Sequence, residues 1–228
     1  MSQLLGKLRD KNGKIAIPGF YDDVAPLSAY ERKQFTRLPI TAAELQKLTG
    51  VKQLFGERGF TPFEQRSARP TFEINGLTSG YQGEGSKTIV PAWARAKITC
   101  RLVPNQNPAR IRKVVLAHLK KICPPDPCAW KLKPDTARKR ITFHPPAKRR
   151  RRRYERCVAH SIANRVLLRE GGSIPIVNDF QKVLGADTLL LGLGLPSDNA
   201  HSPNEKFSLD SFENGQRMSA LLWQELPR

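Results

Sequence analysis

The sequence predicts an α+β layer followed by elements of an α/β domain within one chain of 228 residues. A strand with period-2 alternation, Ala92 to Val103, leads into an amphipathic helix that stops before Pro124, and this order is typical of an α+β layer. A continuous apolar run, Thr188 to Leu195, lies between two helical patterns, as a strand buried on both faces of a parallel sheet does. A strongly basic segment separates the two parts.

The N-terminal part is predicted to begin with the end of a helix. Residues 1–9 place three leucines on one side of two helical turns, and an Asp-Lys-Asn-Gly turn follows, so the start resembles the tail of a longer element. A second, short helix is predicted from Thr41 to Leu48. Thr41 can cap this helix, and Glu44 stands at the capping-box position.

The alternation in the predicted strand assigns its side chains to two faces. The face expected to be buried holds Ala94, Ala96, Ile98, Cys100 and Leu102. The face expected to be exposed holds Arg95, Lys97, Thr99 and Arg101. In the helix that follows, Asn107 is the predicted N-cap and Pro108 the first helical residue. Its apolar positions recur at helical spacing and are Ile111, Val114, Val115, Leu119 and Ile122.

The C-terminal part alternates helical and strand patterns. A helix from Pro175 to Leu184, capped by Ser173, precedes the apolar run. A loop over 196–206 follows the run. Apolar residues then trace one face of a final helix, and these are Leu209, Phe212, Met218, Leu222 and Leu226.

Two segments of this part carry candidate binding chemistry. The loop that leaves the C-terminal end of a buried strand is where α/β sheets bind ligands, and here it contains His201 with Asp198 and Glu205 nearby. A metal-ligand or acid/base role for His201 and an ordinary exposed histidine are both open. Residues 169–175 place two glycines and a serine before a helix, where backbone N–H groups can face an anion, or where an ordinary turn can form.

The charge is concentrated in one segment. The chain has 39 Lys and Arg against 20 Asp and Glu, a net charge of +19, and residues 131–156 hold twelve of the bases and two of the acids. Such a run attracts phosphates, or is simply a solvated charge block. Because stacking aromatics are missing nearby apart from Tyr154, and no recognisable nucleic-acid motif accompanies the run, we expect non-specific binding at low salt and no dedicated nucleic-acid function.

Several other classes are disfavoured by the sequence. The longest apolar stretch has eight residues, far short of the ~20 that a transmembrane helix needs. The N-terminus lacks the apolar core of a secretory signal, so we expect an intracellular, cytoplasmic protein.

The four cysteines are then expected to stay reduced. A structural zinc site from Cys123, Cys128, Cys157 and His160 is conceivable but irregularly spaced, and the glycines at 80–88 do not form a phosphate loop.

Three motifs, taken together, resemble one enzyme family. They are PTFEINGLTSGYQGEGSKTIVPAWARAKITCRLVPNQNP at 70–108, REGGSIPIV at 169–177 and LGLPSDNAHSPNEKF at 193–207. They resemble the dinuclear-zinc M20 peptidases, which include carnosinase-like dipeptidases, aminoacylases, acetylornithine deacetylases and succinyl-diaminopimelate desuccinylases. The first motif, with GFYDDV at 19–24, looks most like the dipeptidase branch.

The resemblance implies roles for individual residues. His201 matches the family's last zinc ligand. Arg101 and Ser173 match positions that hold the substrate's terminal carboxylate, with Thr88 and Gly172 beside them. A further match is open for His144, with a lid histidine that supports the oxyanion across the dimer.

The resemblance also implies a domain division. It implies an incomplete catalytic α/β domain with an inserted α+β lid (dimerisation) domain: residues 1–125 match most of the lid, 169–228 match the end of the catalytic domain, and 126–168 form a basic connector that matches poorly. A shifted reading frame or other gene decay over 129–166 is one hypothesis for that mismatch.

The resemblance implies that the family's early zinc-binding half contributes a His-x-Asp pair, a bridging Asp, a Glu-Glu pair that contains the general base, and a further carboxylate. This sequence has no His-x-Asp pair and no adjacent Glu-Glu. We therefore expect a truncated member of a zinc-dependent hydrolase family, inactive alone. The alternatives are a non-catalytic module that dimerises with itself or an intact relative, and a basic nucleic-acid-binding protein.

Overall fold

The structure is a computed structural model that describes residues 1–38, 40–123, 166, 168–169, 176–185, 188 and 190–225. The chain divides into two compact units, one formed by residues 1–143 with 168–179 and the other by 144–167 with 180–228. The elements of the first part of the chain are α1 (Ser2–Gly6), α2 (Ala29–Phe35), α3 (Ala42–Thr49), α4 (Pro62–Ala68), β1 (Glu73–Ser79), β2 (Ala94–Thr99) and α5 (Pro108–Ile122). Beyond residue 167 come α6 (Ile176–Leu184), a 3₁₀ turn (Pro196–Asp198) and α7 (Leu209–Glu225).

Capping boxes start three of the helices. In α2, α3 and α4 a hydroxyl accepts a hydrogen bond from the N–H three residues on, and the glutamate at that position accepts one from the cap residue's N–H. This reciprocal pair satisfies two N–H groups that otherwise lack partners. The pairs are Ser28 with Glu31, Thr41 with Glu44 and Thr61 with Glu64. The predicted helix α3 is confirmed, whereas α2 and α4 were not predicted although their sequences carry the same signal.

The N-terminal helix is shorter than predicted. It ends at Gly6, and the chain then turns back so that the Ala16 N–H donates to the Leu8 carbonyl at 2.9 Å and the Asp10 N–H donates to the Lys14 carbonyl at 2.9 Å. These strand-like bonds compete with a second helical turn. Leu5 and Leu8 are nevertheless buried, as the predicted apolar side requires.

The strand prediction is confirmed. Strand β2 pairs with β1 in an antiparallel hairpin, in register from Glu73 opposite Thr99 to Ser79 opposite Ala94, with an irregularity between Ile74 and Gly76. Burial alternates along β2 residue by residue. The buried-side residues pack against the core, and they are Ala96, Ile98, Cys100 and Leu102.

Helix α5 covers the inner face of the hairpin. The Asn107 side chain accepts hydrogen bonds from the N–H groups of Ala109 and Arg110 at 2.8 and 3.3 Å, and Pro108 opens the helix, as predicted. The whole predicted stripe contacts the core, and Ile111 is buried in it. The core itself comprises Leu5, Leu8, Ile15, Ile17, Phe20, Phe72 and Ile111.

Phe20 lies at the centre of this core. Its ring has no exposed surface and meets Tyr21 and Phe72 edge to face, with ring centroids 5.7 and 6.3 Å apart. The buried Gln106 side chain donates to the Phe20 carbonyl at 2.7 Å and accepts from the Val103 N–H at 3.0 Å. Gln106 therefore joins the end of the hairpin to the loop that carries Phe20, and both of its amide atoms have partners.

Helices α6 and α7 confirm two predictions, but the predicted buried strand is wrong. Described residues 190–195 form neither helix nor strand, and Leu191 and Leu195 are 37% and 47% exposed. A parallel strand needs neighbouring strands on its edges and helices on its faces. Within the described residues the hairpin is the only sheet, and it does not include this run. The apolar composition of this run predicts that its side chains are buried, but Leu191 and Leu195 are exposed.

The second unit leaves much apolar surface uncovered. In α7, Met218 is buried, whereas Leu209 and Phe212, predicted on the same face, are 79% and 54% exposed. Other exposed apolar side chains of this unit are Phe180, Val183, Leu184, Phe207 and Trp223. Apolar patches of this kind mark surfaces that pack against further protein. No helix of the described part is both long and apolar enough to cross a membrane.

Truncating the buried face of α5 should destabilise the first unit. We expect Ile111→Ala to lower the free energy of unfolding by about 2–5 kcal/mol, because the lost side chain leaves a cavity. The matched control is Arg112→Ala on the exposed face, which should change that free energy by less than about 0.5 kcal/mol. Urea unfolding followed by circular dichroism measures both, and equal effects would contradict the orientation of α5.

The inward direction of Cys100 should suppress its reactivity. Burial, assisted by the negative charge of Glu73, raises the pKa of the Cys100 thiol to about 11. At about pH 8 only about one thousandth of the thiol is then the reactive thiolate. We expect iodoacetamide to label Cys100 slowly in the native chain and rapidly in urea, as measured by peptide mass mapping. Equal rates in the two conditions would contradict the register of β2.

Candidate functional site

Arg101 lies two residues after the end of β2. Hydrogen bonds with Thr71 fix its backbone, and its side chain is exposed. The Thr71 N–H donates to the Arg101 carbonyl at 2.8 Å, and the Arg101 N–H donates to the Thr71 hydroxyl at 3.2 Å. Because Cys100 points into the core, the alternation of the strand turns Arg101 to the opposite face. No acidic side chain of the described residues pairs with its guanidinium, which leaves the two-donor fork available for a carboxylate.

Thr88 lies in the connection between β1 and β2, which is exposed from Gly80 to Trp93. The connection is held by local bonds: the Tyr81 hydroxyl donates to the Glu84 carbonyl at 3.2 Å, and the Lys87 ammonium stands 5.6 Å from the centre of the Tyr81 ring. Thr88 thus lies in the hairpin connection, and Arg101 lies two residues after the end of β2. Ser173, Gly172 and His144 lie outside the described residues, as do Cys128, Cys157, His160 and the basic run at 148–153.

His201 is exposed in a tightly turned segment. Asn199, His201 and Asn204 have φ angles of 54°, 64° and 59°, in the left-handed region that non-glycine residues seldom adopt. Such conformations persist where the surroundings hold them, and they often accompany binding sites. Here the Ser202 N–H donates to the Asn199 carbonyl at 2.8 Å.

Asp198 has a structural role in the same loop. Its side chain is buried and accepts the Leu195 N–H at 2.7 Å, while its carbonyl accepts the Lys206 N–H at 2.9 Å. This carboxylate therefore holds the loop that presents His201.

The described residues do not by themselves fit a zinc site. No group of three or more His, Cys, Asp or Glu side chains among them could hold a metal ion. A catalytic zinc needs about three protein ligands. His201 is a single candidate zinc ligand. Its exposed position in the loop is compatible with zinc binding and equally with an ordinary surface histidine.

A second cluster was not anticipated from the sequence. The Arg169 guanidinium donates to both carboxylate oxygens of Glu31, at 2.5 and 2.9 Å, and to the carbonyls of Ala25 and Pro26, at 2.9 and 3.0 Å. Burial raises the pKa of Glu31, but hydrogen bonds from Arg169 and Ser28 outweigh it and hold that pKa below its ordinary value. The capping pattern marks Glu31 in the sequence, whereas nothing local marks Arg169 as its partner.

A cavity of about 640 Å³ lies elsewhere in the first unit. It opens between α2 and α4, with Phe35, Phe60 and Phe63 in its wall. Arg32 and Glu64, joined by an ion pair of 3.2 Å, also line it. Neither Arg101 nor Thr88 contributes to its lining, so it is separate from the predicted carboxylate-binding residues.

The chain is similar to known dipeptidases over nearly its whole length. It is 31% identical over 224 residues to the Cys-Gly metallodipeptidase DUG1 of Candida albicans, which covers 93% of this chain and 44% of that protein. It is 27% identical to the Beta-Ala-His dipeptidase of Homo sapiens, covering 98% of this chain and 44% of that protein. The chain thus spans about half the length of the curated relatives it matches.

Solved structures agree with these similarities. The di-peptidase Dug1p of Saccharomyces cerevisiae superposes with a TM-score of 0.73 at 30% identity, covering 98% of this chain and 47% of that one. Human carnosine dipeptidase 1 superposes with a TM-score of 0.69 at 25% identity, covering 97% and 48%. Residues 1–127 match the model of the peptidase dimerisation domain. The resemblance to the dipeptidase branch is confirmed, and the chain belongs to the M20 peptidase family, whose dimerisation domain it carries.

Proposed function

We propose that this chain supplies the lid and the closing part of the catalytic domain of a zinc-dependent peptidase that acts on dipeptides or N-acyl amides. The observation that carries the proposal is the dimerisation-domain match over residues 1–127, together with the hairpin and α5 that form a layer there. In this proposal residues 1–125 are the lid, 126–168 a connector and 169–228 the end of the catalytic domain.

Arg101 is proposed to bind the terminal carboxylate of a peptide-like substrate. Its support is the held backbone at the end of β2 and the exposed guanidinium without an acidic partner among the described residues. The planar fork of arginine matches the two oxygens of a carboxylate. Thr88, in the same hairpin, is proposed as a neighbouring hydroxyl donor. Gly172 and Ser173 are proposed as further donors on the strength of their motif alone.

The chain is proposed to lack hydrolytic activity when it is alone. His201 is proposed as one zinc ligand, but none of the four histidines belongs to a His-x-Asp pair, and no two glutamates are adjacent. With one candidate ligand, a zinc ion would lack the protein donors that a catalytic site requires. The zinc-dependent hydrolysis that the resemblance implies is therefore proposed to need groups that this sequence does not contain.

A non-catalytic dimerisation module is the second candidate function. The hairpin exposes apolar side chains, including Leu77 at 49%, Val90 at 91% and Trp93 at 60%. Within the described residues β1 and β2 pair only with each other, so each presents one open edge. Open edges and apolar side chains together favour pairing with another chain. We propose a homodimer, or a pair with an intact relative.

The remaining proposals concern partners and location. We propose a cytoplasmic protein without a specific nucleic-acid partner. The basic segment at 131–156 is proposed to bind polyanions only through charge, so its affinity should fall steeply as salt is added.

The first test is activity with metal. We expect the purified chain, supplied with zinc, to leave Cys-Gly and β-alanyl-histidine unhydrolysed and to retain less than one zinc per chain after dialysis, because most ligands are missing. Chromatography of the products and elemental analysis measure the two results. The yeast Cys-Gly metallodipeptidase is the positive control. Hydrolysis together with stoichiometric zinc would overturn the proposal of inactivity.

The second test is the dimer surface. We expect the wild-type chain to dimerise, and Val90→Asp to weaken the dimer by about tenfold or more, because a charge would be buried in the contact. Val90 is 91% exposed, so the substitution should not unfold the chain. Val51→Asp, at an exposed valine outside the hairpin, is the matched control. Light scattering after size exclusion measures mass, and a monomeric wild type would contradict the homodimer proposal.

A further inference from the structure

The cavity between α2 and α4 combines an apolar wall with one guanidinium. Phenylalanine, leucine, isoleucine and proline side chains supply most of its wall, and Arg32 lines it as well. We propose that this cavity is a binding site for a small carboxylic acid with an apolar body, whose carboxylate Arg32 binds. Because Arg101 and Thr88 do not line the cavity, this inference does not rest on the proposed function.

The cavity has the size and the walls that such a ligand needs. Its volume of about 640 Å³ lies within the range of about 300–1,000 Å³ that is typical of small-molecule pockets. Phe35 is buried, and Phe60 and Phe63 are half-buried. An apolar body in the cavity would remove its own surface and the exposed parts of these rings from water, which favours binding.

Arg32 is held at the cavity by three contacts. Its Nη1 donates to a carboxylate oxygen of Glu64 at 3.2 Å and to the Gly59 carbonyl at 3.5 Å, and its guanidinium lies 5.3 Å from the centre of the Phe60 ring. The Glu64 side chain is only 3% exposed and also accepts the Thr61 N–H at 2.8 Å. A ligand would therefore meet a guanidinium that is already oriented, which reduces the entropy lost on binding.

The other edge of this guanidinium matches a carboxylate. Nε and Nη2 of Arg32 donate to no acceptor among the described residues, and the side chain is 46% exposed. In Arg69 the same two nitrogens donate to the two oxygens of Glu57, at 2.9 and 2.7 Å. The same edge of Arg169 receives Glu31. Two parallel N–H groups suit the two oxygens of a carboxylate, so a ligand carboxylate fits the Nε–Nη2 edge of Arg32.

The negative charge of Glu64 does not exclude a second carboxylate at Arg32. Arg110 donates from Nη1 to Asp23 at 2.5 Å and from Nη2 to Asp22 at 2.7 Å, so one guanidinium of this chain already pairs with two carboxylates. At Arg32, Glu64 uses Nη1 alone. The ligand would use different nitrogens from those that Glu64 occupies.

Arg66 provides a matched control within α4. Its guanidinium lies 5.7 Å from the centre of the Phe63 ring, much as Arg32 lies over Phe60. No acceptor among the described residues receives its N–H groups, but Arg66 does not line the cavity. Removing Arg66 therefore tests the loss of an exposed arginine over a phenylalanine, with the cavity left intact.

The first measurement is calorimetric titration of the full chain with γ-phenylbutyrate and with its neutral amide. We expect the wild type to bind the acid about tenfold more tightly than the amide or better, because only the carboxylate forms two charge-assisted hydrogen bonds. Arg32→Gln and Arg32→Lys should each remove this difference, and Arg66→Gln should keep it. Since Arg32→Lys retains a positive charge beside Glu64, it separates loss of the two-donor edge from loss of the fold.

The second measurement locates the ligand. With saturating γ-phenylbutyrate, hydrogen exchange should slow about threefold or more in the peptides at 32–38 and 59–66 and stay unchanged in the peptide at 108–122. Phe63→Ala should weaken binding of the acid and of the amide alike, because both ligands share the apolar body.

Several results would overturn the proposal. They are equal affinities of the wild type for the acid and the amide, unchanged selectivity in both Arg32 variants, and protection from exchange only outside the two peptides. An absence of both heat and protection with γ-phenylbutyrate would overturn it as well. None of these results bears on Arg101, so the proposed function is decided by its own tests.

Discussion

The stability of the first unit depends on an apolar layer that covers one face of its two-stranded hairpin. A sheet of this size is marginal in water unless an apolar layer packs on it, and α5 provides that layer above Phe20. Phe20 has no exposed surface, and Gln106 joins its carbonyl to the end of the hairpin through two hydrogen bonds. The loop, the hairpin and α5 are therefore held together by one apolar cluster and one buried amide.

The same packing decides what the hairpin can present to a ligand. Strand side chains alternate, so placing Cys100 in the core places Arg101 outside, on a backbone held by Thr71. The Cys100 thiol thus packs against the core, whereas the neighbouring Arg101 side chain is exposed to solvent. The core specifies the direction of Arg101, and the proposed carboxylate site depends on packing that lies on the other face of the sheet.

The two units differ in how completely they cover their apolar residues. The first has a core to which α1, β2 and α5 contribute, and residues 1–127 match the peptidase dimerisation domain. The second exposes Leu209, Val183 and Trp223 above 70%, and its apolar run forms no strand within the described residues. Within the described part of the chain, no element covers these three side chains.

Local patterns in the sequence were enough to determine the period-2 strand, the Asn107–Pro108 start of α5 and the Thr41 capping box, because each depends on neighbours within a few residues. The three motifs likewise identified the family. Tertiary structure alone decided three other features: the shortened α1, the unpaired run at 190–195 and the Arg169–Glu31 contact. Each depends on groups distant in sequence, since a strand needs partners and a guanidinium needs acceptors that only folding brings within reach.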